Sequence, residues 1–298
     1  MNIEEVIKFD LRKSFLTKLQ LEEWEKNNIL YNTLWFDINI SAPDIEFSYI
    51  SQRLFQINEK YSSWKIVPRK NGGYVLQNNN GLTITSDLMS GRWWFMKKLM
   101  GEEEGKNTRL ELSQLYYKDI ESFRTSQGEE LYSKLVEKYG YNQKIWKNFI
   151  SYLNVVYTIG NMTPAGANPG GNGYDNWIIK LEKLHKCYFG GKSYSDKSII
   201  NKWKPFLDKI YENKRNLNDK WKSFITDNFF QPYVDDVDEN FKVKKINFNN
   251  LNDAIEISYK MIQERGKLIQ ENKNYKNKNY NFIKIPYGSI DINCKNNQ

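Results

Sequence analysis

The sequence predicts an α+β fold, predominantly helical, with a small antiparallel β-sheet in the N-terminal third. Apolar residues recur at three- and four-residue spacing through much of the chain, the signature of helices with one buried face. Three short β-prone runs crowd into residues 64–85, separated by the turn-rich stretches RKNGG and NNNG. The 9 Trp, 20 Tyr and 16 Phe supply core material. Rings of that size each remove roughly 150–250 Å² from water, enough to offset a low mean hydropathy.

Taken in order, Leu11, Phe15, Leu16, Leu19 and Trp24 lie at near-helical spacing. In TLWFDINI, residues 33–40, Leu34, Phe36, Ile38 and Ile40 alternate with Trp35, Asp37 and Asn39, which predicts a strand. Phe47, Ile50, Leu54 and Ile57 predict a helix over 47–60. A meander follows, with strands at 64–67, 74–76 and 82–85, because Gly and Asn supply the backbone angles that tight hairpins need. Helices are expected at 92–100, 110–123, 129–139, 143–157, from Trp177 to Tyr188, and at 197–213, 217–230 and 250–271. We expect one domain over residues 1–285 and a loosely ordered Asn- and Lys-rich tail at 286–298.

Lys and Arg outnumber Asp and Glu by 44 to 36, a formal charge of +8. That balance permits nucleic-acid binding through counterion release, and equally a solvated lysine surface. Two distant cysteines, Cys187 and Cys294, suit a reducing compartment. The opening MNIEEVIKFDLRK has no apolar signal core, and no apolar run reaches the ~18 residues of a membrane span. The expectation is a soluble, cytoplasmic protein without a membrane partner.

The stretch TIGNMTPAGANPGGNGYDNW, residues 158–177, interrupts the helical pattern with five glycines. It predicts a glycine-rich loop running into a helix start. Asp175 is placed as N-cap, with Tyr174 and Ile179 as a hydrophobic staple. Such a start can hold an anion, because free N–H groups and the helix dipole favour negative charge. Asn161, Asn168, Asn172, Asp175 and Trp177 are the candidate ligand-binding residues, with Arg92 or Arg265 as cations from elsewhere in the fold. Against this, the Asp175 carboxylate competes for the same N–H groups, and no Lys or Arg lies between Thr158 and Ile179. The plain alternative is a conformationally demanding connection.

Tyr157-Thr158-Ile159-Gly160-Asn161, then Pro164, Asn168 and Tyr174-Asp175-x-Trp177-x-x-x-Leu181, resemble a family of uncharacterised bacterial proteins with a YTIGN…P…YDxW motif. Gly73–Leu76 with the TITSD of Thr83–Asp87, Trp221–Val243 and Ile262-x-x-Arg265-Gly266-Lys267-x-Ile269 also fit that pattern in order. The chain departs from it with Ile178-Ile179-Lys180 in place of Asp-Leu-Thr, and it lacks an arginine that the family often places in the loop. The resemblance implies one coherent domain and carries no activity.

RWWFMKK sets Arg92, Lys97 and Lys98 beside Trp93, Trp94 and Phe95. Aromatics can stack bases while cations hold phosphates, so Arg92, Trp93, Trp94, Lys97 and Lys98 are the candidate nucleic-acid contacts. The alternative is a core helix with snorkelling basic ends. A second basic area at 196–224 has aromatics at core spacing, so its lysines are expected on the solvated face.

Several familiar chemistries are excluded or weak. GEEEGKN, residues 101–107, lacks the Ser or Thr of a phosphate loop and puts three carboxylates where phosphates would lie. VDDVDEN fails as a calcium hand, with Phe241 in place of the required glycine and Asn247 at the twelfth position. Its acidic groups could still hold Mg²⁺ with a phosphate substrate, but a solvated turn explains them. QGEE, residues 127–130, has the Gln-x-Glu spacing of some ADP-ribosyltransferases without the upstream strand element. His185 is the lone histidine and is expected to be packed or at the surface; its spacing from Cys187 puts the two on different helix faces. No metal and no cofactor is expected. The reading is a binding protein acting on nucleic acid or a nucleoprotein, in conflict between bacterium and phage. The alternatives are an enzyme or sensor for an anion at the glycine-rich loop, and an inhibitor or scaffold for a protein partner.

Overall fold

The computed structural model describes residues 52, 55–56, 58–69, 74–89, 92–101, 127–153, 155, 158–166, 177–190, 200, 203–235 and 241–272. Outside them lie the expected helix near the N-terminus, the strand at 33–40, the helix at 110–123, Asn168, Asn172 and Asp175 of the loop, most of VDDVDEN, and the tail.

The described part is α+β and mostly helical. Its sheet begins with the expected meander, strands β1 (Lys65–Pro68), β2 (Tyr74–Gln77) and β3 (Thr83–Leu88). Ile66 faces Leu76, and Leu76 faces Ile84, so an apolar row runs across the three strands. Leu76 and Ile84 are fully buried. The NNNG turn works as its residues dictate. Asn78 Oδ1 accepts from the N–H groups of Asn80 at 3.0 Å and Leu82 at 2.8 Å, while Gly81 takes a φ of 78°.

A fourth strand was not expected. β4 (Met162–Gly166) lies within the segment read as loop and pairs antiparallel with β3, from Leu88↔Met162 to Ile84↔Gly166. The sheet order is β1-β2-β3-β4, so β4 is an edge among the described residues. That position tolerates Pro164, which has no N–H to offer a neighbour on its outer side.

Seven helices are described: α1 (Arg92–Met100), α2 (Gln127–Tyr139), α3 (Gln143–Leu153), α4 (Trp177–Phe189), α5 (Lys204–Ile210), α6 (Leu217–Asp227) and α7 (Leu251–Glu271). Phe95 of α1 stacks edge-on against Tyr152 of α3 at 5.0 Å, and both are fully buried. α7 is the longest of these. Ala254, Ile255, Ser258, Met261, Ile262, Arg265 and Ile269 form its buried stripe, at the spacing of one helical face. Asn250 caps it, accepting from Asp253 N–H at 3.3 Å. Among the described residues no helix is long and apolar enough to cross a membrane.

α4, α5 and α6 meet at one carboxylate. Asp208 receives Lys204 Nζ at 2.5 Å, Lys220 Nζ at 3.2 Å and the Tyr188 hydroxyl at 3.4 Å. In the basic area, then, Lys204 and Lys220 are ion-paired, while Lys209, Lys214 and Arg215 are exposed. Burial pushes the Asp208 carboxyl up, but the hydrogen bonds and charges of the two lysines outweigh it and hold it below its usual value. A depressed carboxylate contributes stability above its unfolded pKa and loses it as pH falls through its folded pKa. Asp208→Asn is therefore expected to be less stable than wild type at neutral pH. The gap should close below about pH 4. Urea melts at a series of pH values check this; a gap that does not change with pH removes the ionic explanation.

Candidate functional site

The aromatic–basic helix α1 turns Phe95, Met96, Leu99 and Met100 into the core. That leaves Trp94 half-buried, its ring 4.7 Å from Phe248 and 5.0 Å from Phe95. Lys98 lies one turn on and is exposed, with Nζ 5.8 Å from the centre of the Trp94 ring. Lys97 is half-buried. Gly101 ends the helix at a φ of 89°, its N–H on the Lys97 carbonyl. Arg92 and Trp93 form the first turn of α1, and their side chains are not among those described. The core-helix reading of RWWFMKK accounts for the buried face. One face is core, and the cation and ring at Lys98 and Trp94 meet at its rim.

The turn between α2 and α3 closes on the same end of α1. Gly140 and Tyr141 both take left-handed backbone, φ 73° and 66°. Trp146 Nε1 donates to the Gly140 carbonyl at 2.9 Å, and the Tyr141 hydroxyl donates to the Lys98 carbonyl at 3.3 Å. Sequence reasoning passed over Tyr141, which follows a glycine outside any periodic run.

The glycine-rich segment divides. Its first part is fixed from within. Thr158 Oγ1 donates to the Val155 carbonyl at 2.8 Å and opens a 3-10 turn, Ile159–Asn161, that leads into β4. Asn161 is fully buried, and its carbonyl accepts from Met89 N–H at 2.6 Å. Gly160 lies flat against α7. A Cβ there would fall 2.0 Å from the Ile262 carbonyl oxygen and 2.9 Å from Gly266 N. What this position requires is the lack of a side chain, since its φ lies outside the left-handed region. Trp177 begins α4; its side chain is not described.

Arg265, expected as a cation facing the loop's ligand, meets the segment from inside. It is 2% exposed. Nη1 donates to the carbonyls of Gly160 and Met162, both at 2.7 Å, and Nε donates to that of Asn228 at 3.0 Å. The guanidinium also lies 5.2 Å from the Phe230 ring. One side chain therefore ties α7 to the 3-10 turn, to β4 and to the end of α6.

From Asn228 a polar chain runs outward. Its side chain meets the hydroxyls of Tyr61 and Tyr211, each at 3.4 Å. Asn58 Nδ2 donates to the Asp227 carbonyl at 2.5 Å, and Lys60 Nζ lies 4.6 Å from the Tyr211 ring. Burial pushes both tyrosine hydroxyls up, so they stay protonated at neutral pH. Burial raises Asp227, against the opposing charge of Lys60, and lowers Lys60. This cluster seals the joint between the segment before the sheet and the C-terminal helices.

Comparison of the chain with protein-family models, with characterised proteins and with solved structures gives no match.

His185 lies with its ring 4.7 Å from Phe189 and 5.3 Å from Trp221. Among the described residues no group of three His, Cys, Asp or Glu is placed to hold a metal ion. Of the candidate sites, the rim of α1 is the one where the described geometry places an exposed cation beside an aromatic ring.

Proposed function

We propose that the chain is a cytoplasmic binding protein for nucleic acid or a nucleoprotein, and that the rim of α1 is its contact surface. The observation that carries the binding role is exposed Lys98 over half-buried Trp94, on a protein of net charge +8. Such a pair offers phosphate attraction and ring contact together. Charge-driven binding releases counterions, so affinity falls steeply with salt.

Fluorescence anisotropy with labelled duplex DNA, single-stranded DNA and RNA tests this. Binding is expected at low salt and should weaken by about 10-fold or more between 50 and 200 mM salt. Lys97→Glu with Lys98→Glu should weaken binding and flatten that salt dependence. Absent or salt-independent binding overturns the reading and leaves a protein partner as the leading one.

A further inference from the structure

We infer that Tyr141 is a stacking platform for an unpaired base, which makes single-stranded nucleic acid the ligand class of the α1 rim. This rests on the nucleic-acid reading above and sharpens it. Three features single out Tyr141. First, 47% of its surface is exposed, a rare state for a large ring among the described residues. Second, its backbone is left-handed, at φ 66°, a conformation that glycine or asparagine adopts with far less strain than an aromatic residue. Third, the ring is held in one orientation. Its hydroxyl donates to the Lys98 carbonyl at 3.3 Å, and its edge meets Trp146 at 6.3 Å and 79°. Strained backbone clusters at binding sites; Phe229 and Phe241 share the positive φ but pack against the core, whereas the ring of Tyr141 is exposed.

The surroundings suit a polyanion. Exposed Lys98 of α1, Lys138 of α2 and Lys144 of α3 come from the three helix ends that meet at this turn. Lys138 Nζ lies 5.1 Å from the Tyr139 ring. Among the described residues, the carboxylates to set against these lysines are Glu137, exposed on α2, and Glu256 of α7, whose partner is Lys260 at 2.6 Å, with a smaller contribution from the charge of Lys144. A ring presented from a turn can take a base only where that base is free of its own duplex stack. Aromatic platforms flanked by lysines therefore favour single strands.

Tyr141→Gly and Tyr141→Phe separate function from fold. The glycine variant loses the Lys98 and Trp146 contacts but relieves the left-handed strain, so its thermal midpoint should stay close to wild type. Its affinity for a labelled oligothymidylate should nevertheless drop about 5- to 150-fold, the range found on removing one stacked aromatic. The phenylalanine variant keeps the ring and should bind within about twofold of wild type on the same reasoning. Photocrosslinking with 5-iodouracil in the strand should label Tyr141. If wild type binds the strand and Tyr141→Gly binds it equally well, the platform is overturned while the nucleic-acid reading stands. Preference for duplex over single strand also overturns the inference alone. Unfolding of Tyr141→Gly would mean that the fold needs the ring, and would overturn it too. No binding to any nucleic acid removes both.

Discussion

Gly160→Ala is expected to destabilise the protein by about 3 kcal/mol or more, the upper range for a single overpacking change. The added methyl carbon would lie 2.0 Å from the Ile262 carbonyl oxygen, 3.0 Å from its carbon and 2.9 Å from Gly266 N. All three are main-chain atoms of α7, so no side chain can rotate out of the way. Relief requires α7 to lift from the 3-10 turn, which would also stretch the Arg265 bonds to Gly160 and Met162. Ala at an ordinary backbone angle costs little by itself, so the whole effect reports the close approach. Urea denaturation of wild type and variant measures it; a difference under about 1 kcal/mol would show that α7 does not press on this turn.

Arg265→Met is expected to cost about 3 kcal/mol or more, since each buried polar group left without its partner costs roughly 1–3 kcal/mol. Met approximates the volume and removes the donors, leaving the carbonyls of Gly160, Met162 and Asn228 without their charged partner. Buried acceptors stripped of a donor carry a full desolvation cost. Arg265→Lys should recover only part of the loss, because a point ammonium cannot reproduce a planar fork that spans three acceptors. Since both residues hold the same seam, the double variant Gly160→Ala with Arg265→Met should lose less than the sum of the single changes. Unchanged urea midpoints in Arg265→Met would sink the clamp.

Much of this architecture was legible because its causes are local. The NNNG hairpin follows from Asn78 and Gly81 alone, and α7 from one apolar stripe with an Asn250 cap. β4 was not legible. MTPAG contains a proline and a glycine and shows no alternation, and its partner strand lies more than 70 residues earlier. Gly160 was read for conformational freedom, whereas its neighbour across space decides its role. Arg265 did leave a signal, a basic residue at a core position between Ile262 and Ile269. At the α1 rim the Trp94–Lys98 pair was visible as a one-turn spacing. The approach of Tyr141 was not, since it depends on where the α2–α3 turn lands.

The pairing of β3 with β4 also sets an order of events. The β1–β3 hairpins close over a few residues each, on the microsecond scale. Leu88 must wait for Met162, emerging 74 residues later, and Gly160 for the still later α7. On the ribosome, the outer backbone edge of β3 is synthesised well before its partner, at elongation speeds of roughly 5–20 residues per second. For some seconds a nascent chain carries an unsatisfied strand edge, the kind of surface that chaperones cover and that seeds aggregation.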